Sequence, residues 1–265
     1  MLTFDRLLTQ TDFVKDMRDI HRILQGAYDR PVDIEFTANF PDEKSYRINL
    51  LQCRPLQVQG AECVALPKLN VKPEDRIIAA RSAVVGRSRI TSVDRFIYVV
   101  PQAYGALPVK ERYEVARLLG DVNRALQNQS AGTTMALGPG RWGTASPSLG
   151  IPVAFPDISR VSILCEIVAM REGLIPDVSL GTHFLNELVE MDMLYLALFP
   201  QQGDNYINAA FFEQAPSRLL QLVPAAVKWQ NTVRVVFGAD VARGAGGITL
   251  VADAPEQRFV CYFGK

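Results

Sequence analysis

Residues 32–55, "VDIEFTANFPDEKSYRINLLQCRP", form the stretch that decides the fold of the N-terminal part of the chain. In "VDIEFTA" apolar and polar residues alternate, so the acids Asp33 and Glu35 share the face of a strand opposite its apolar residues. "NFPDEK" has the composition of a polar turn, and "SYRINLLQCRP" reads as the returning strand. The stretch predicts a two-stranded antiparallel hairpin.

The returning strand carries the second half of the polar pattern. Strict alternation along it groups Gln52 with Tyr46, Ile48 and Leu50 on one face. Arg54 follows near the end of the strand, which Pro55 terminates. We therefore expect Gln52 on the face that also carries the strand's apolar residues.

The hairpin residues have a chemical interpretation and a purely structural one. Carboxylates such as Asp33 and Glu35 hold Mg²⁺ together with phosphate oxygens, and Gln52 completes an oxygen shell. Arg54 offers a bidentate donor for phosphate. An ordinary half-buried sheet with acids facing solvent explains the same alternation. The residues alone leave both interpretations open.

The helix before the hairpin strengthens the first interpretation. Residues 11–28 carry apolar side chains at helical spacing, which predicts an amphipathic helix. The helix and the following "PVDIEFTANFPDEKSYRINLLQCRPLQ" resemble the end of the ATP-grasp nucleotide-binding region of phosphoenolpyruvate synthase and pyruvate, phosphate dikinase. Members of that family typically carry a D-I-E-(F/W) strand, a hairpin and then L-Q-x-R-P.

The resemblance implies ATP and Mg²⁺ as cofactors and an ATP-dependent phosphotransferase as the parent enzyme. It implies that Glu35 is a Mg²⁺-ATP ligand, that Gln52 contacts metal and phosphates, and that Arg54 contacts the terminal phosphates. Gln52 and Arg54 are thus the expected catalytic residues, and Asp33 supports them. In the family, ATP phosphorylates a histidine that passes the phosphate to pyruvate, so pyruvate or phosphoenolpyruvate is a further expected ligand.

The resemblance reaches only the last part of the nucleotide-binding region. No GxxxxGK[ST] motif replaces the earlier part, with its adenine pocket. We therefore expect an upstream nucleotide-binding half, in the same parent chain or on a partner subunit.

The remaining sequence predicts a second unit. Proline-containing residues 56–74 read as a connection, so the expected domains are residues 1–60, the end of the nucleotide-binding region, and residues 61–265. Helical and strand patterns alternate in the second unit, which predicts an α/β (mixed α+β) fold. The expected elements include a helix at 108–126 and the strands "RFIYVVP", "TTMAL", "RVSILCEIVA" and "LYLALF".

"GPGRWG", residues 138–143, is the most distinctive motif of the second unit. Its glycines permit an amide nest for an anion, with Gly140 and Arg141 as binding residues. A tight structural turn explains the glycines equally well. The loop and a later "GTHF" resemble the C-terminal region of phosphoenolpyruvate synthase-related proteins. The alternative function is therefore a non-catalytic module that recognises an anionic metabolite through this loop, or that docks onto other domains.

"GTHF" itself supports several interpretations. Thr182 predicts the cap of a helix that begins at His183. His183 is then a structural helix-start residue, a ligand-binding residue or, by a loose similarity to the family's phosphate-carrying loop, a phosphate acceptor.

Composition excludes several other classes of protein. Acids and bases balance at 28 each, so no general positive field attracts nucleic acid or an anionic membrane. No apolar run reaches the roughly 18 residues of a membrane span. The N-terminus lacks a secretory apolar core, which favours the cytoplasm. Two histidines and four scattered cysteines disfavour a zinc site and predict reduced thiols.

Overall fold

The computed structural model describes residues 4–29, 32–41, 45–55, 71–169, 178–243 and 246–264. The chain separates into two compact units, Met1–Gly60 and Ala61–Lys265. Both helices and strands build it, in mixed sheets, which confirms the predicted α+β class. Most of the predicted connection, residues 56–70, lies outside the described residues. No described helix combines the length and the apolar composition that crossing a membrane requires.

The first unit is a helical pair followed by the hairpin. Its elements are α1 (Asp5–Gln10), α2 (Phe13–Tyr28), β1 (Val32–Asn39) and β2 (Arg47–Pro55). The ring of Phe13 packs 6.0 Å from that of Phe36 and 5.8 Å from that of Tyr46, which fixes the start of α2 on one face of the hairpin. The Tyr46 hydroxyl donates to the Asp16 carboxylate at 2.5 Å. The predicted helix and hairpin are confirmed.

The second unit opens with strands and a long helix. In chain order its first elements are β3 (Arg76–Arg81), β4 (Val84–Val85), β5 (Arg89–Ser92), β6 (Arg95–Val99), α3 (Pro101–Gly105), α4 (Val109–Ala125), β7 (Thr134–Pro139), β8 (Arg141–Trp142), β9 (Gly150–Ile151) and β10 (Ile163–Ile167). The remaining elements are α5 (His183–Glu190), β11 (Leu194–Leu198), β12 (Tyr206–Ile207), α6 (Ala209–Gln214), α7 (Leu219–Leu222), β13 (Val233–Phe237), α8 (Gly238–Val241), β14 (Ile248–Asp253) and β15 (Arg258–Phe263). Short 3₁₀ turns lie at Pro73–Asp75, Leu126–Asn128, Phe155–Ile158 and Pro224–Trp229.

Two larger sheets form within the described part of this unit. The central sheet has the order β13-β6-β7-β10-β11-β4, in which β6, β7, β10 and β11 are parallel and both edge strands are antiparallel. The second sheet, β12-β3-β15-β14-β5, is antiparallel throughout. Because parallel strands need long crossovers, α3–α4 and α5 lie between successive central strands.

The central sheet is buried on both faces, so the unit has three layers. One face packs against α4 and α5, with Leu119 and Leu188 among the buried contacts. The other packs against the second sheet, where Cys165 and Cys261 are both fully buried. Burial raises the pKa of both thiols above their usual range, and both are free. Burial on both faces explains the continuous apolar runs of the central strands.

Candidate functional site

The polar residues of the hairpin come together on one face. Asp33 pairs directly with Arg54, and Glu35 pairs directly with Gln52. Directly opposite residues of an antiparallel pair share a face, with Cβ atoms about 4.5–5.5 Å apart. Since positions two apart on one strand also share a face, all four side chains project from the same side of the ribbon. Glu35 and Arg54 are then diagonal neighbours, within reach of a common ligand.

A β-bulge produces this arrangement. The register shifts between Glu35 and Phe36, because Phe36 pairs with Leu50 while Glu35 pairs with Gln52. Leu51 is left without a directly opposite partner, and 63% of its surface is exposed. The sequence-based grouping of Gln52 with Leu50 was therefore wrong, because the extra residue reverses the alternation beyond it.

The polar face lies opposite the helix within the first unit. Phe36, whose ring contacts Phe13 of α2, points to the other side of β1 from Glu35. Glu35 and Arg54 are exposed, whereas Asp33 and Gln52 are half-buried. Within this unit, α2 therefore leaves the polar face uncovered.

The donor set of this face fits a hard cation that also binds phosphate. Within the part of the chain that the structure describes, no three His, Cys, Asp or Glu side chains converge into a metal cage. The hairpin instead offers the carboxylates of Asp33 and Glu35 and the side-chain carbonyl of Gln52 on one face. Mg²⁺ typically takes one or two carboxylates and completes its shell with phosphate oxygens and water. The residues present fit that pattern.

The GPGRWG motif forms an internal turn of the second unit. Gly140 and Gly143 both adopt φ of 67°, as the motif's glycines predicted. The amide of Gly140 donates to the Ile167 carbonyl, that of Arg141 to Leu149, and that of Gly143 to Ile151. The Trp142 amide donates to Glu166 Oε1 at 2.7 Å. The four successive amides thus bond within the protein.

These internal bonds remove the amide nest on which the predicted anion site rested. The same glycine conformations that can expose amides to a ligand here let them reach carbonyls of neighbouring segments. Trp142 is fully buried and presents no stacking surface. Binding of an anion by Gly140 and the half-buried Arg141 remains a prediction that rests on the arginine side chain alone.

Glu166 is a site residue that the sequence analysis missed. It lies in β10 with no exposed surface, and its carboxylate accepts four hydrogen bonds. Oε1 accepts from the Trp142 amide at 2.7 Å and the Ser179 hydroxyl at 2.5 Å. Oε2 accepts from the Ser179 amide at 2.8 Å and the Tyr195 hydroxyl at 2.6 Å. Burial raises the pKa of Glu166 above its usual range, and these four bonds oppose that effect.

The Glu166 network has a structural role in holding three segments together. It ties the GPGRWG turn and the segment before α5 to the middle of the central sheet. A signal was present in the sequence, since a single acid inside the apolar run "ILCEI" is buried only when it is fully bonded.

The start of α5 is as the sequence predicted. Thr182 caps the helix, and its hydroxyl accepts from the Leu185 amide at 3.3 Å. His183 is the first helical residue and is exposed. No described acid hydrogen-bonds to its ring, so the structure adds nothing to the phosphate-acceptor interpretation beyond this exposed position.

Comparison with known families bears on the first unit. Residues 5–73 match the family model described as pyruvate phosphate dikinase, AMP/ATP-binding domain. Over this N-terminal quarter the chain is similar to the nucleotide-binding domain of the pyruvate, phosphate dikinase and phosphoenolpyruvate synthase family. The predicted family resemblance is confirmed there, and the matched domain is described as one that binds AMP or ATP. The match ends at residue 73, so the resemblance of the GPGRWG unit to the family's C-terminal region stays a prediction. No curated protein and no solved structure is detectably similar to the chain.

Proposed function

We propose that the hairpin supplies magnesium and phosphate contacts to the ATP site of a pyruvate, phosphate dikinase-like phosphotransferase. One observation carries the proposal: the bulge at Leu51 puts Asp33, Glu35, Gln52 and Arg54 on a single face, in the segment that matches an AMP/ATP-binding family. The ordinary-sheet interpretation accounts for alternation, but not for a bulge that brings two acids, an amide and a guanidinium together.

Each residue of the face has a distinct role in the proposal. The carboxylate of Glu35 and the carbonyl of Gln52 are the oxygen ligands of the metal. The Arg54 guanidinium donates two parallel hydrogen bonds to the terminal phosphate. Asp33, directly opposite Arg54, orients that guanidinium.

The chemistry of this face is positioning and charge neutralisation. Glu35 and Gln52 would hold Mg²⁺, which would supply positive charge to offset the negative charge that develops on the phosphate oxygens during transfer. The chain's own contribution is to hold Arg54 and the carboxylate of Glu35 on a rigid ribbon, so little reorganisation is needed when the phosphoryl group moves. Pyruvate or phosphoenolpyruvate as the further ligand, and the cytoplasm as the location, remain predictions.

The hairpin forms one wall of the proposed site. Its polar face is partly exposed, whereas small-molecule sites typically enclose most of their ligand. We therefore propose that an additional nucleotide-binding segment, from a longer parent chain or a partner subunit, supplies the adenine pocket and the remaining phosphate contacts. Binding of ATP to this chain alone should be weak.

Titration calorimetry with Mg²⁺-ATP, at ligand concentrations into the millimolar range, tests the proposal. Glu35→Gln and Arg54→Gln should each weaken binding about tenfold, because each removes a charged contact to metal or phosphate. Arg47→Gln is the matched control, since Arg47 lies on the same face at the far end of the same strand. Equal affinity of the Arg54 and Arg47 variants, or binding that is indifferent to Glu35→Gln, contradicts the proposed roles.

A further inference from the structure

The second unit contains a cavity of its own. A cavity of about 660 Å³ opens on the outer face of the five-stranded sheet, the face turned away from the central sheet. Its floor contains Ala79, Val260 and Val251, which are direct neighbours across β3, β15 and β14. The volume is within the roughly 300–1,000 Å³ typical of small-molecule sites.

Two arginines stand side by side at one end of this floor. Arg81 of β3 and Arg258 of β15 are directly opposite each other, and Asp253 of β14 is opposite Arg258. Like charges in directly opposite positions destabilise an antiparallel pair. The Arg258 guanidinium bonds to Asp253 at 3.3–3.4 Å. Among the described residues, no acid pairs with the Arg81 side chain, so this end of the floor carries unbalanced positive charge.

The walls of the cavity are held in place by hydrogen bonds. Asn205 Oδ1 accepts from the Arg81 amide at 2.7 Å, and Asn205 Nδ2 donates to the Phe199 carbonyl at 3.1 Å. Arg76 donates twice to the Val71 carbonyl, at 3.1 and 2.9 Å. These bonds fix the turn before β12 and the entry to β3, so the space between them is preformed.

We infer that this cavity binds a small organic phosphate. Its lining contains three arginines against two aspartates, a net positive charge of one. A phosphate dianion accepts hydrogen bonds from two guanidinium groups at once, and its charge offsets the repulsion between Arg81 and Arg258. A carboxylate, by contrast, is neutralised by a single guanidinium. The apolar floor accommodates the short carbon chain of such a ligand. The Asp204 carboxylate in the cavity wall accepts hydrogen bonds from the ligand's hydroxyl groups.

Calorimetric titration of the 265-residue chain with glycerol 3-phosphate tests this inference. Binding should saturate in the millimolar range or below, and glycerol alone should not bind. Arg81→Gln and Arg258→Gln should each weaken binding about tenfold, through loss of one charged contact. Asp253→Asn should tighten binding about threefold, because it frees Arg258 while retaining an acceptor for the Glu256 amide.

Three further variants separate a built site from general electrostatics. Val260→Trp fills the floor without changing charge and should abolish binding. Arg160→Gln, an exposed arginine outside the cavity, should leave the affinity unchanged. Arg54→Gln should also have no effect, which distinguishes this cavity from the proposed ATP site. Absence of saturation up to about 10 mM, or equal weakening by Arg81→Gln and Arg160→Gln, overturns the inference. Thermal melts establish that each variant is folded.

Discussion

Replacing Glu166 by glutamine tests whether the buried carboxylate holds the second unit together. The substitution keeps the shape of the side chain and changes one oxygen into an NH₂ group. Each carboxylate oxygen accepts one backbone N–H, Oε1 from Trp142 and Oε2 from Ser179. A carboxyl oxygen accepts such a bond whether or not it carries a proton, but an NH₂ group cannot. Whichever way the amide is turned, its NH₂ group faces a backbone donor. The hydroxyls of Ser179 and Tyr195 can rotate and become acceptors, but the backbone amides cannot.

The magnitude follows from that count. One buried backbone N–H loses its acceptor, which costs about 1–3 kcal/mol. The repulsion between this N–H and the new NH₂ group of the glutamine adds to that cost. We expect Glu166→Gln to lower the free energy of unfolding by about 2–4 kcal/mol at pH 5. Tyr195→Phe, which removes one donor and leaves three, should cost about 1 kcal/mol. Glu187→Gln, at an exposed position of α5, is the control and should change stability by less than about 0.5 kcal/mol.

Urea unfolding followed by tryptophan fluorescence isolates the relevant transition. The chain has two tryptophans, Trp142 and Trp229, and both belong to the second unit. The fluorescence signal therefore reports on the second unit. A midpoint for Glu166→Gln equal to that of the Glu187 control would refute the argument from the donor geometry.

The same network predicts how the effect depends on pH. Burial raises the pKa of Glu166 from its ordinary 4.5, so the folded state keeps a proton that the unfolded chain releases above pH 4.5. Between these two pKa values the stability of the unsubstituted protein falls by up to about 1.4 kcal/mol per pH unit. The glutamine variant lacks this titration. Its destabilisation relative to the unsubstituted protein should therefore be largest below pH 4.5 and should shrink as the pH rises.

Further predictions concern a glycine of the GPGRWG turn and a tyrosine of the hairpin. Gly143→Ala should cost about 2–4 kcal/mol in the same fluorescence assay, because a Cβ would lie 2.3 Å from the Phe184 ring at a φ of 67°. Gly181→Ala, with a φ of 77° and open space around the new methyl group, should cost only about 1 kcal/mol, and equal effects would contradict the steric argument. The hydrogen bond from Tyr46 to Asp16 raises the pKa of Tyr46 to about 12, so its contribution to stability is present below pH 10 and is lost as the pH rises through 12. Asp16→Asn should return the pKa of Tyr46 toward 10. The pKa is measured by an absorbance titration from which the titration of the Tyr46→Phe variant is subtracted, and an unchanged pKa would exclude the hydrogen bond as the cause.

Several helices and strands of the fold were predictable from local sequence patterns. The amphipathic spacing of α2 and α4, the alternation of β1 and the continuous apolar runs of the central strands each reflect burial that repeats along the chain. The Thr182 cap was predictable for the same reason, because it depends on residues within one helical turn. β3 and β5 were not predicted, although β3 supplies Arg81 to the cavity of the second unit.

The sequence by itself determined that Asp33, Glu35, Gln52 and Arg54 lie on two paired strands, because alternation and turn composition act locally. Only the tertiary structure decided that they share a face. Leu51 has no directly opposite partner and forms a bulge, and this extra residue turns Gln52 and Arg54 to the face of Asp33 and Glu35. The GPGRWG amides and Glu166 follow the same rule: the residue types were visible, but their bonding partners lie 8 to 29 residues away in the chain and meet only when the central sheet forms.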